Sequence, residues 1–168
     1  INSTNQTVTV TVNDSDDTAP VITGPSGSAG DTTSSISTEE NTITIHTFTA
    51  NKAVTWSLNG GSDQSLLTID SSTGVLAFAT TPDYETPGDA DSNNSYIAVV
   101  SATDSAGNIA NQSMTVAVTN VDEEATITGN TGGIGAEDVN AITGILTASD
   151  IEGLADGSYF TVSTAATN

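Results

Sequence analysis

Four short acidic stretches hold most of the chemistry open to this chain. The first is Asn13-Asp14-Ser15-Asp16-Asp17-Thr18-Ala19-Pro20, and the second is Asn120-Val121-Asp122-Glu123-Glu124. The third, Pro82-Asp83-Tyr84-Glu85, alternates carboxylates that would face one side of an extended backbone. The fourth is Glu40-Asn41, just ahead of an expected strand. All offer oxygen donors. Calcium takes roughly six to eight such oxygens at about 2.3–2.6 Å, from carboxylates, carbonyls and Asn side chains. Zinc and the transition metals are poorly served, because there is no Cys and His46 is the lone His.

With its charge balance the chain either stays expanded or recruits cations. Among 168 residues, 21 are Asp or Glu and one, Lys52, is basic, for a net charge of −20. Nucleic acid and anionic lipid would be repelled at long range. Two carboxylates about 4 Å apart repel by roughly 4 kcal/mol at an effective dielectric of about 20. With a single lysine, most of the counter-charge must come from solution. Absent cysteine rules out disulfides and thiol chemistry and leaves metal ions as the expected staple. No apolar run is long enough to cross a membrane as a helix, and no signal peptide is visible. The start at Ile1 suggests a fragment of a longer chain.

An acidic, aromatic-poor chain can be disordered, but the apolar residues here are organised. Thr7-Val8-Thr9-Val10-Thr11-Val12 and Met114-Thr115-Val116-Ala117-Val118 alternate with period two, as half-buried strands do. Further strands are expected at Val21–Thr23, Ile43–Ala50, Val54–Leu58, Leu66–Ile69, Val75–Phe78 and Tyr96–Thr103. Turn residues separate them, as at Asn59-Gly60-Gly61 and Ser71-Ser72-Thr73-Gly74. No stretch holds a helical period over three turns. The class is all-β, with an immunoglobulin-like Greek-key β-sandwich expected.

An internal repeat sets the domain size. Asn5-Gln6-Thr7-Val8-Thr9-Val10 falls on Asn111-Gln112-Ser113-Met114-Thr115-Val116, an offset of 106 residues. At the same offset Asp14, Asp16 and Asp17 fall on Asn120, Asp122 and Glu123. A final strand with an acidic linker thus occurs twice. Residues 1–13 are expected to be the last strand of a preceding repeat and 14–17 a linker. Residues 18–119 form a whole sandwich, 120–123 a second linker, and 124–168 an incomplete further repeat.

These motifs resemble the cadherin repeat. In that family an Asp-x-Asn-Asp-x-x-Pro linker, an early Glu-Asn and an Asp-x-Glu hold calcium between successive domains. Asp14, Asp16 and Asp17 with Pro20 match the linker, Glu40-Asn41 the early element, and Asp83 with Glu85 the pair. Ala102-Thr103-Asp104 matches the late Ala-x-Asp, and Ser149-Asp150-Ile151-Glu152 resembles the Asp-Ala-Asp of a following domain. The resemblance implies ligands at Glu40, Asp83, Glu85, Asn120, Asp122, Glu123, Asp150 and Glu152 after the central repeat. Before it, it implies Asp14, Asp16, Asp17 and Asp104. Two departures stand out. The second linker lacks the proline, and the central repeat's own Asp-Ala-Asp reads Ala50-Asn51-Lys52, with a cation where a ligand belongs. The wording of Phe48–Leu58, Pro82–Pro87 and Ala102–Asn108 is similar to tandem cadherin-like repeats of giant bacterial adhesins of the RTX type, exported by type I secretion. The tail phrase Ser149 to Phe160, with Gly157-Ser158-Tyr159-Phe160-Thr161-Val162, resembles the start of their VCBS repeat.

The resemblance implies a secreted, cell-surface extender that calcium stiffens, in adhesion or biofilm formation, with neighbouring repeats as partners and no direct membrane insertion. Two rivals are a module binding a sugar or peptide on a host or bacterial surface, and a homophilic adhesion domain. Asp89-Ala90-Asp91-Ser92-Asn93-Asn94 reads equally as a calcium loop or a polar loop. Gly132–Val139 is one turn of a calcium β-roll motif, which needs stacked copies, so a Gly-rich turn is expected. Trp56 is expected in the core and His46 on a strand face. Asp83 and Glu85 lack the aromatic cleft that glycoside hydrolysis would call for, and no enzyme is expected.

Overall fold

A computed structural model describes residues 4–11, 16–124, 126–129 and 146–149. The chain divides into two compact units, Ile1–Thr119 and Asn120–Asn168. In the first, strands run at β1 (Ile22–Thr23), β2 (Thr33–Glu39), β3 (Thr44–Thr47), β4 (Thr49–Ala50), β5 (Thr55–Leu58), β6 (Leu67–Ile69), β7 (Val75–Phe78), β8 (Ser95–Thr103) and β9 (Ile109–Thr119). The second has β10 (Thr126–Gly129) paired antiparallel with β11 (Leu146–Ser149). No α-helix occurs among the described residues.

The first unit is a β-sandwich. One sheet has the order β2-β9-β8-β5, the other β3-β7-β6, and β1 pairs with β4 at the side. β8 and β9 form a long antiparallel hairpin in which Ser95 faces Ala117 and Thr103 faces Ile109. Its alternation fills the core: Tyr96, Ala98, Val100 and Ala102 from β8, and Met114, Val116 and Val118 from β9, are buried. Leu76 and Phe78 of β7 meet them from the other sheet, and Trp56 of β5 and Phe48, between β3 and β4, join the same core. Trp56 lies in this core, as expected. Gly74 has φ +74°, and a Cβ there would stand 2.7 Å from the Phe48 carbonyl and 2.9 Å from the Trp56 indole nitrogen. Glycine lets the turn close over the tryptophan.

Two expectations are corrected, and one strand was not anticipated. Residues 4–11 form no strand and are exposed throughout, with Val8 at 75% and Val10 at 78%. A strand exists only against a partner, and the partners expected for this one belong to a preceding repeat. The segment Ile43–Ala50 is two strands, because β3 pairs with β7 while β4 pairs with β1. β2, absent from the expectations, runs parallel to β9 from Thr33 opposite Ser113 to Glu39 opposite Thr119.

Candidate metal centre

The parallel β2–β9 pairing brings the site together. Where both strands end, the Glu40 N–H donates to the Thr119 carbonyl at 3.0 Å. Asn41 then turns with φ 62°, a left-handed conformation that Asn tolerates, and its N–H donates to the Pro82 carbonyl at 3.0 Å. This draws the 82–86 loop against the end of β2. Glu40 is 3% exposed, and its Oε2 accepts a 2.9 Å hydrogen bond from the Tyr84 N–H. Carboxylate oxygens of Glu40 and the half-buried Glu85 lie within 4.8 Å of each other. Two oxygens bound to one calcium are at most about 5 Å apart, given bonds of about 2.3–2.6 Å. The pair therefore fits as part of a calcium shell, and a cation between the two would turn repulsion into attraction.

The same loop corrects the reading of Asp83. The backbone bends at Tyr84–Thr86 instead of extending, so the two acids do not share a side by simple alternation. Asp83 is exposed, and its Oδ1 accepts from the Thr86 N–H at 2.8 Å. Hydrogen bonds from Thr86 hold its carboxyl below the usual range.

At the other end of β9 the arrangement differs. Asp104 follows β8 and is buried, and its carboxylate accepts from the N–H groups of Ala106 and Asn108, both at 2.9 Å, and from Asn108 Nδ2 at 3.0 Å. Lys52 Nζ adds a fourth bond at 3.1 Å and an ion pair of 2.8 Å with the exposed Asp16. The Asn108 side chain, above all, lowers the Asp104 pKa to about 2. Four protein donors thus occupy the Asp104 oxygens in this arrangement. Asp17 is exposed. Asn120, Asp122 and Glu123 stand in the second unit, on the chain directly after β9. Asp14, Asp150, Glu152, the glycine-rich 132–139 stretch and the VCBS-like phrase beyond Ser149 lie outside the described residues.

One buried acid, Asp63, escaped the sequence reading, while Asp89 entered it as the first residue of the 89–94 loop. Asp63 accepts from the N–H groups of Ala90 and Ile97, both at 2.8 Å, and Asp89 from those of Asn93 at 2.8 Å and Asn94 at 3.2 Å. Their carboxylates shape the 89–95 loop by holding its backbone. A lone Asp in a polar stretch carries no signal for this.

No family model matches the chain, and no curated protein does. Solved structures do. The protocadherin GammaB4 extracellular domain is 22% identical with a TM-score of 0.50, over 71% of this chain and 19% of that one. Human CDH23 EC21-23 is 20% identical with a TM-score of 0.49, over 79% and 46%. Drosophila N-cadherin EC1-3 is 20% identical with a TM-score of 0.48, over 63% and 35%. The chain thus spans less than half the length of each of these structures. The first likeness shows the fold: a cadherin-like β-sandwich.

Proposed function

We propose that this chain is a segment of a secreted, cell-surface adhesin of the bacterial RTX type, in which calcium between successive sandwiches stiffens the array. Residues 18–119 are the whole repeat, flanked by linkers at 14–17 and 120–123, with 1–13 and 124–168 belonging to the repeats on either side. Its role is mechanical and not enzymatic. The observation that carries this reading is the closeness of the Glu40 and Glu85 carboxylates where β9 ends. Because the Glu40 N–H bonds to the carbonyl of Thr119, the linker leaves from beside the pair, with Asp122 and Glu123 only three and four residues on. Those side chains and Asn120 would complete the shell, joined by Asp83, and by Asp150 and Glu152 from the following repeat.

A bound calcium ion would supply a divalent charge to which acids from both sides of the linker would be drawn. Ions that bind only the ordered arrangement stabilise it by mass action. Extracellular calcium modules bind at about 10⁻⁴ to 10⁻³ M, so millimolar calcium would fill them. Small-angle scattering with calcium and with chelator tests the proposal. A maximum dimension that grows and sharpens on adding calcium supports it, and one that ignores calcium refutes it. No described helix is long and apolar enough to cross a membrane.

A further inference from the structure

The single basic side chain of the sequence sits among oxygens. Lys52 Nζ donates to Asp16 Oδ2 at 2.8 Å, to the Thr18 carbonyl at 2.7 Å and to Asp104 Oδ2 at 3.1 Å. An ammonium has three protons, and three acceptors take them. Two of those acceptors come from the segment ahead of β1, and the third follows β8. Neighbouring contacts fasten the same segment. Asn108 Nδ2 donates to the Asp16 carbonyl at 2.9 Å, the Thr18 N–H to Asp16 Oδ1 at 3.1 Å, and the Val21 N–H to Asn51 Oδ1 at 2.8 Å.

We infer that Lys52 is a built-in counter-cation that fixes residues 16–18 to the sandwich without a divalent ion, so that this end of the repeat does not depend on calcium. A divalent ion bound to Asp16 and Asp104 would lie within a few ångströms of the ammonium and be repelled by it. It would also compete with the N–H donors on Asp104. With 21 acids in the sequence and one base, the placement of that base against two of them is what distinguishes this end from the Glu40–Glu85 end.

Amide hydrogen exchange on the full chain tests this, read by mass spectrometry in chelator and in 5 mM calcium (a concentration on the order of tenfold above typical extracellular sites). In the wild type, exchange over residues 16–21 is the same in both conditions. In Lys52→Gln it rises at least tenfold in both, while β8 and β9 keep their protection. Lys52→Arg, which keeps the positive charge, retains most of the wild-type protection and serves as the second variant should Lys52→Gln fail to fold. Calcium-induced protection of 16–21 in the wild type would overturn the inference, as would wild-type protection in Lys52→Gln. Residues 82–86 report separately on the calcium reading: if calcium leaves them unchanged, that reading fails while the lysine clasp stands or falls on 16–21.

Discussion

The two ends of the β9 strand solve the same electrostatic problem by different means. At its start, Asp16 and Asp104 converge and the Lys52 ammonium lies between them. At its finish, Glu40 and Glu85 converge within 4.8 Å, and on our proposal the cation there comes from solution. A tethered cation costs no binding equilibrium, is always present and carries one charge. A dissolved divalent ion carries two, gathers more ligands and reports its own concentration. On that proposal, one end of the sandwich is fastened permanently and the other is stiffened only where calcium is available.

Four perturbations act differently on the two ends, and a fifth, the largest, acts on what both share. Trp56 is buried and packs against Phe48 with ring centroids 6.0 Å apart. Truncating a buried Trp costs about 3–5 kcal/mol, so Trp56→Ala should lower the melting midpoint by more than about 10 °C. Calorimetry should show one transition in which both ends are lost together; two separate transitions would mean that the ends are independent bodies.

Calcium itself comes next. At about ten to a hundred times the dissociation constant, one site adds about 1.4–2.7 kcal/mol, which a thermal melt in calcium against chelator should reveal as a higher midpoint. Glu40→Gln keeps an oxygen for the Tyr84 N–H and removes the charge. It should weaken calcium binding by about tenfold or more, near 1.4 kcal/mol, as read by titration calorimetry. Lys52→Gln should leave that affinity unchanged.

The smallest effect is on acidification. Asp104 has a folded pKa of about 2, below the usual value of about 3.9. Its contribution is therefore complete above about pH 4 and fades as pH falls toward 2. Melts between pH 5 and 2.5 should show Asp104→Asn removing part of this acid sensitivity, with the wild-type curve falling more steeply.

Strands were legible where a clear apolar pattern also had a partner strand in the chain, unlike residues 4–11, which alternate but pair with nothing among the described residues. Val75–Phe78 appears with the bounds read from sequence, and Tyr96–Thr103 and Met114–Val118 lie within β8 and β9. β2 was illegible because Thr33-Ser34-Ser35-Ile36-Ser37-Thr38-Glu39 holds a single apolar residue. Its inward Ser34 is satisfied by a 3.0 Å hydrogen bond to the fully buried Gln112, a partner 78 positions away. At the site, the types of Glu40 and Glu85 were readable, but the choice between Glu85 and Asp83 depends on the bend at Tyr84–Thr86, which no period signals. Lys52 stood out as a cation in a ligand's place. Its three acceptors are a property of the folded chain.

The most direct test of the central claim is an anomalous difference map from crystals grown in millimolar calcium. The account predicts a peak about 2.3–2.6 Å from oxygens of both Glu40 and Glu85, with none between Asp16 and Asp104. Empty density between the two glutamates, or a calcium ion standing where Lys52 Nζ is placed, would contradict it.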